Sequence, residues 1–313
     1  MRRKLKMEER GHLFAWPVAT AYSWGKDYVV DRNVKGPEEA DIWLDGTGPW
    51  LLEFGPPRWS TPLSTPTLHR KFGNLETEAQ PIIGFARAHG WLGFHVALSG
   101  IPLNRKRGEK VRAKPKRTDT AGESMWRWKR EIAEMALWLG IWDLIQQRDA
   151  GKLGQLVKWP NPDVVVLEVA LRRNRSANEV CAPEKDGPFT FRRIADRDDD
   201  AQVLKRWRVG DVIEPARYAL YTAINEKLKE RVYVQLAWPY FESVESFIVP
   251  KSLLAALWLM FMWEVIGATA LLRCPVCGDW VERSIASQKT CSAACKQRQY
   301  RNRQRANAKG GTP

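Results

Sequence analysis

Apolar positions are periodic over the second half of the chain and irregular over the first. Trp128, Ile132, Met135, Leu139, Trp142 and Ile145 fall four, three, four, three and three residues apart. They therefore share one stripe of an amphipathic helix that starts near Glu123 and ends near Gly151. Pro215 to Leu228 repeats the pattern, with Pro215 at the first helical position and Ala219, Leu220, Ala223, Ile224 and Leu228 on one side. Ser252 to Leu272 is apolar nearly all round, which predicts a buried central helix. Its uncharged run ends at Glu264 after twelve residues, short of the roughly twenty that a membrane span needs. Asp163–Leu171 is β-branched and strand-like, Val232–Trp238 and Ser246–Val249 predict shorter strands, and a further helix is expected near Asp199–Arg208.

The first hundred or so residues read differently, because Gly, Pro and Trp interrupt short apolar pieces such as Tyr28–Val30, Ile42–Leu44 and Trp50–Phe54. One helix stands out, from Thr77 as N-cap to His89, with Gly90 as its stop; Trp91–Leu98 then reads as a strand. Between Asn104 and Thr120 apolar residues nearly vanish, the mark of a linker or long exposed loop, and Arg172–Gly187 is a polar loop. The pattern predicts an α+β chain. An irregular N-terminal α/β domain covers 1–103, a basic linker 104–121, a mainly helical domain with a few strands 122–272, and a C-terminal module 273–313.

At 313 residues, 44% hydrophobic and 27% charged, the chain has a globular composition with room for two domains. Met1–Tyr22 mimics a secretion signal only in part, since Glu8, Glu9 and His12 interrupt it and Pro17 breaks its apolar run; a cytoplasmic protein is expected. The sixteen Trp residues are expected mostly in the core, each with an N–H to satisfy. The net charge of +14 is local: residues 105–117 contribute +7 and residues 283–313 contribute +8 without a single acid, leaving the rest at −1. Such clustering points to a polyanion contacted at one or two places.

Five cysteines are too few for a disulfide framework, and four of them lie in the last 40 residues. Cys274, Cys277, Cys291 and Cys295 spell C-x2-C-x13-C-x3-C, two local pairs that supply four soft ligands for a tetrahedral Zn²⁺. Cys274-Pro275-Val276-Cys277-Gly278 reads as a metal knuckle, and Cys291 and Cys295 sit four apart on the first turn of a helix, the treble-clef arrangement. Trp280–Arg283 is expected to pair with Gln288–Thr290. With four protein ligands no position is left for water or substrate, so one structural zinc per chain is expected. Cys181 has no partner in the sequence.

The helix that follows carries Lys296, Arg298, Tyr300, Arg301, Arg303 and Arg305. Arg298, Arg301 and Arg305 share one face, flanked by Lys296 and Arg303, while Tyr300 offers an aromatic plane and the Gln and Asn residues offer base-edge hydrogen bonds. These six residues are the candidate nucleic-acid contacts, with DNA preferred to RNA; a solvated basic tail is the plainer reading.

The stretch from Pro250-Lys251-Ser252 through Arg273-Cys274-Pro275-Val276-Cys277-Gly278 and Cys291-Ser292-Ala293-Ala294-Cys295-Lys296-Gln297-Arg298-Gln299-Tyr300-Arg301 resembles the C-terminal part of bacterial stress-induced transcriptional regulators whose helical domain ends in a CGNR-type zinc finger. Cys295-Lys296-Gln297-Arg298 stands here in place of Cys-Gly-Asn-Arg. The resemblance implies that the four cysteines bind zinc and that Arg298, Tyr300 and Arg301 lie on a DNA-binding helix; it does not extend to residues 1–249.

Other chemistry is weaker. Asp196, Asp198, Asp199 and Asp200 suit a helix start, where negative charge complements the dipole, better than a cation site. Asp163 and Glu168 flank a strand as in a nuclease core, but Ala170 occupies the place of the expected lysine. His69, His89 and His95 lack neighbouring ligands, with His89 on an apolar helix face, and Gly46-Thr47-Gly48 lacks the rest of a phosphate loop. A DNA-binding regulator is the leading expectation; a nucleic-acid hydrolase and a zinc module serving protein contacts alone are the alternatives.

Overall fold

The computed structural model describes residues 16–25, 28–30, 50–94, 96–100, 120–170, 189–237, 245–283, 285 and 287–309. The basic run of 105–117, the Ile42–Leu44 piece, Gly46-Thr47-Gly48, His95, the 172–187 loop and Cys181 lie outside them. In chain order the elements are β1 (Trp16–Gly25), β2 (Tyr28–Val30), β3 (Trp50–Ser60), α1 (Leu68–Gly73), α2 (Ala79–His89), β4 (Val96–Gly100), β5 (Thr120–Ser124), α3 (Met125–Gln147), α4 (Ala150–Leu156), β6 (Val157–Asn161), β7 (Val164–Ala170), β8 (Phe189–Asp196), α5 (Arg197–Leu204), α6 (Ile213–Leu228), β9 (Val232–Ala237), β10 (Glu245–Pro250), α7 (Leu253–Val265), β11 (Leu271–Arg273), β12 (Trp280–Glu282) and α8 (Ala293–Lys309). The class is α+β, with helices and several small sheets. Two compact units form, Met1–Trp128 with Glu230–Pro313, and Lys129–Lys229.

In the first unit an antiparallel sheet runs in the order β1-β3-β5-β4-β2. The β1–β3 register slips between Ala19 and Ala21, opposite the Gly55-Pro56-Pro57 stretch of β3. Proline has no N–H to give a ladder, and β5 pairs with β3 through Trp50–Leu52, clear of both prolines.

The expected strand at Trp91 starts only at Val96, because the preceding backbone is spent elsewhere. Leu92, Gly93 and Phe94 donate their N–H groups to the buried Glu123 carboxylate at 3.0, 2.6 and 2.7 Å, and Trp128 Nε1 donates at 2.9 Å. The resulting loop closes on the start of α7. Leu254 N–H donates to the Leu92 carbonyl at 3.1 Å. Gly93 has φ +106°, and a Cβ there would overlap the Ser252 side chain, so glycine is required.

α7 is the central helix that the sequence predicts, buried from Leu253 to Phe261, with Ser252 Oγ accepting from Ala255 N–H at 3.2 Å. It ends at Val265 rather than Leu272. Gly267 takes φ +71° and the Ile266 and Gly267 N–H groups turn back to Met262 and Glu264, which frees Leu271–Arg273 to become β11. α1 packs on α7, and Phe72, Phe85 and Trp128 form a ring cluster with centroids 5.4, 6.2 and 6.3 Å apart.

The second unit holds the antiparallel sheet β6-β7-β8, with α4 against β6 and β7 and α6 against β8. Ile132, Met135, Leu139, Trp142 and Ile145 of the predicted stripe are buried. The helix does not reach Gly151 unbroken, because Arg148 adopts φ +52° and separates α3 from α4. Lys227 Nζ lies 2.8 Å from buried Glu131 and 2.7 Å from Glu134, tying α6 to α3. Asp196 caps α5 by accepting from Asp199 N–H at 2.8 Å, with Asp198, Asp199 and Asp200 in the first turn, the helix-start role expected for this acidic run.

Candidate metal centre

β11 and β12 pair as a hairpin, Leu271↔Glu282 to Arg273↔Trp280. This corrects the expected partner of Trp280–Arg283, which was Gln288–Thr290. The strand just before the knuckle pairs with β12 through the Cys274–Asp279 turn, which its own backbone hydrogen bonds close. Inside the turn Cys274 N–H donates to Asp279 O at 2.8 Å and Gly278 N–H to Cys274 O at 2.9 Å, with Gly278 at φ +79°. The second pair sits where α8 begins. Ser292 Oγ accepts from Cys295 N–H at 3.2 Å, leaving Cys291 just before the helix and Cys295 in its first turn.

The four Sγ atoms all lie within 4.8 Å of one another, with Cys277 and Cys291 at 3.5 Å. Tetrahedral Zn–S bonds of ~2.3 Å place their sulfurs ~3.8 Å apart, so these thiols are arranged to hold a metal ion. Cys274 and Cys295 are buried and Cys277 is exposed. The Cys291 N–H, helped by those of Cys277 and Val276, holds the Cys274 thiol down at about 6 against the cost of desolvation. Cys277 goes the other way: the Asp279 N–H pulls it down, but desolvation and the neighbouring Cys291 and Cys274 thiols outweigh it and push it up to about 11. A divalent ion among the sulfurs would offset the desolvation and thiol-to-thiol effects that raise Cys277.

The hairpin is anchored to the core by a contact that the sequence reading missed. The Arg70 guanidinium stacks over the Trp280 ring at 3.5 Å from its centroid. Its Nε donates to Glu264 Oε2 at 2.9 Å and its Nη2 to Oε1. His69 Nε2 donates to Glu264 Oε2 at 2.7 Å, while its buried Nδ1 has no partner among the described residues. A proton on Nδ1 would be a buried donor without an acceptor, so His69 is neutral, in keeping with burial pushing it below the usual histidine range. The signal was Glu264 itself, a carboxylate ending an apolar run. His89 is packed on Phe85 at 4.8 Å, and burial, then Lys71 and Arg58, lower it to about 4.

Lys296, Arg298, Tyr300, Arg301, Arg303 and Arg305 are all exposed on α8, and among the described residues no carboxylate engages the five cations. Tyr300 Oη accepts from Gln304 at 3.0 Å. Asp163 lies in the exposed β6–β7 turn 3.5 Å from Arg197, and neither it nor Glu168 joins a group of three or more potential ligands among the described residues. Among those residues, too, no helix is long and apolar enough to cross a membrane. The site is that of a protein with one four-cysteine metal-centre candidate continuous with an acid-free cationic helix. No protein-family model, curated protein or solved structure matches the chain.

Proposed function

We propose that the chain is a zinc-containing nucleic-acid-binding protein, a DNA-binding transcriptional regulator whose four cysteines hold one structural Zn²⁺. The reading rests above all on continuity: α8 leaves directly from the Cys291–Cys295 half of the cluster and carries five exposed cations without an acid. Four thiolates suit a borderline-soft cation and leave no coordination position for water, so the metal's work is to fix the fold. Cys274 to Asp279 and Ser292 hold the sulfurs in place, and Arg70 holds the hairpin to α1. The similarity of residues 250–305 to CGNR-type regulators supports the same assignment.

Metal analysis and a DNA-shift titration of the full chain test it. One zinc per chain is expected, with DNA binding lost on Cys274→Ser. If the 105–117 run and α8 both contact DNA, about six to ten engaged charges would give a log–log salt slope of about −5 to −9, and one shallower than about −2 overturns the electrostatic case. Unchanged binding in the Arg298→Ala, Arg301→Ala double variant would assign the module to protein contacts instead.

A further inference from the structure

α8 does not carry its charge on one face. At about 100° per residue, buried Cys295 and half-buried Gln299 mark the side on which the helix packs. Measured from there, Arg298 and Arg305 project about 80–100° to one side, and Lys296 and Arg303 about 60–80° to the other. The front, opposite the packed side, is formed by Gln297 and Gln304, with Arg301 and Tyr300 on its shoulders. Of these ten side chains all but Cys295 and Gln299 are exposed. Within each charged row the two residues are seven apart, two helical turns or about 10.5 Å.

Two cationic rows with an uncharged amide stripe between them match a groove with two anionic walls and a hydrogen-bonding floor. From this we infer that the partner of α8 is duplex DNA, entered through its major groove. Lys296 and Arg303 meet one phosphate strand, Arg298 and Arg305 the other, and Gln297 and Gln304 face the base edges. The dimensions agree: a helix with side chains is about 10–12 Å across and the B-form major groove about 12 Å wide. A-form RNA has a major groove too narrow for side chains to read, and single strands are held on successive aromatic platforms, whereas α8 offers Tyr300 alone. The inference rests on the DNA-binding reading above and adds that the DNA is double-stranded and how the helix meets it.

The test uses the zinc-loaded full chain with three probes of equal length: duplex DNA of random sequence, duplex RNA and single-stranded DNA. Duplex DNA is expected to bind at least tenfold more tightly than either other probe. Lys296→Gln with Arg303→Gln, and separately Arg298→Gln with Arg305→Gln, should each reduce the salt slope by about 2, at about 0.9 per phosphate contact. Gln297→Ala with Gln304→Ala should keep the slope and change the sequences selected from a random duplex pool. Zinc content of one per chain confirms that each variant folds. Equal affinity for duplex RNA or single strands, an unchanged slope after removal of either row, or unchanged selection by the amide variant overturns the groove assignment while leaving nucleic-acid binding intact. Absence of binding to all three probes sinks the underlying reading as well.

Discussion

Glu264 is the residue on which most depends outside the cysteines. It is buried, it accepts from both Arg70 and His69, and Arg70 in turn carries the Trp280 ring. Desolvation acts to raise its pKa, yet hydrogen bonds from His69 and Arg70 hold it below the ordinary glutamate value, so it is ionised in the fold. Glu264→Ala would take the carboxylate away from a buried guanidinium and a buried histidine, and a loss of about 3–5 kcal/mol is expected in denaturant unfolding. Glu264→Leu with Arg70→Met should cost much less, since no buried charge is left unpaired; an equal loss would mean that packing rather than charge sets the effect. The histidines give a pH dependence of defined sign. His69 and His89 both titrate below the usual value in the folded chain, so between about pH 6.5 and their folded values the unfolded chain binds more protons. Their contribution is complete above about pH 6.5 and is lost as the pH falls below it. The unfolding midpoint should therefore drop from pH 7 to 5, and His69→Gln with His89→Gln should flatten that drop, the Gln amide still donating to Glu264. A slope identical in the double variant would place the pH sensitivity elsewhere.

At the scale of elements, what the sequence made legible was whatever depends on local period or local spacing. The α3 stripe and the buried body of α7 could be read from residue type alone, and the cysteine spacing located the cluster. What escaped was decided by partners distant in sequence. Glu123 captures three N–H groups from Leu92–Phe94 and so delays β4, an effect with no trace in the Trp91–Leu98 pattern. β1 and β8 were not anticipated, because their neighbours β3 and β7 supply the pairing that their own composition does not announce. The end of α7 was misplaced because apolar residues continue past Gly267, whose positive φ, not hydropathy, stops the helix. That same loop logic gives a prediction at Gly93, where a side chain meets both an unfavourable φ and the Ser252 side chain. Gly93→Ala should destabilise by at least about 2 kcal/mol, through strain and overlap together, and should be seen as a lowered denaturation midpoint with an unchanged m-value. A cost near zero would mean that the 92–94 loop can leave Glu123 without penalty.

For the whole molecule the question is where metal binding is felt. Among the described side chains from Leu271 to the end of α8 few are buried, chiefly Cys274, Cys295 and Thr290, so burial alone gives this region little stability. The proposed structural zinc would be worth on the order of 10 kcal/mol, far more than the three-residue ladder between β11 and β12 supplies. Its removal should therefore release the module first. The effect has a physical route inward, because Trp280 lies on Arg70 and Arg70 is bonded to Glu264, which joins the hairpin to α1 and the end of α7. Lys129–Lys229 packs as a compact unit of its own. Hydrogen exchange before and after chelation distinguishes these regions. Protection should fall strongly over Leu271–Lys309, fall moderately over Leu68–Gly73 and the last turn of α7, and stay unchanged over Val164–Ala170 and Ile213–Leu228. Arg70→Ala should confine the loss to Leu271–Lys309, because the link is then already cut. Equal loss of protection in both units would show that the metal stabilises the chain globally, and that the Arg70–Trp280 stack is not what carries its effect.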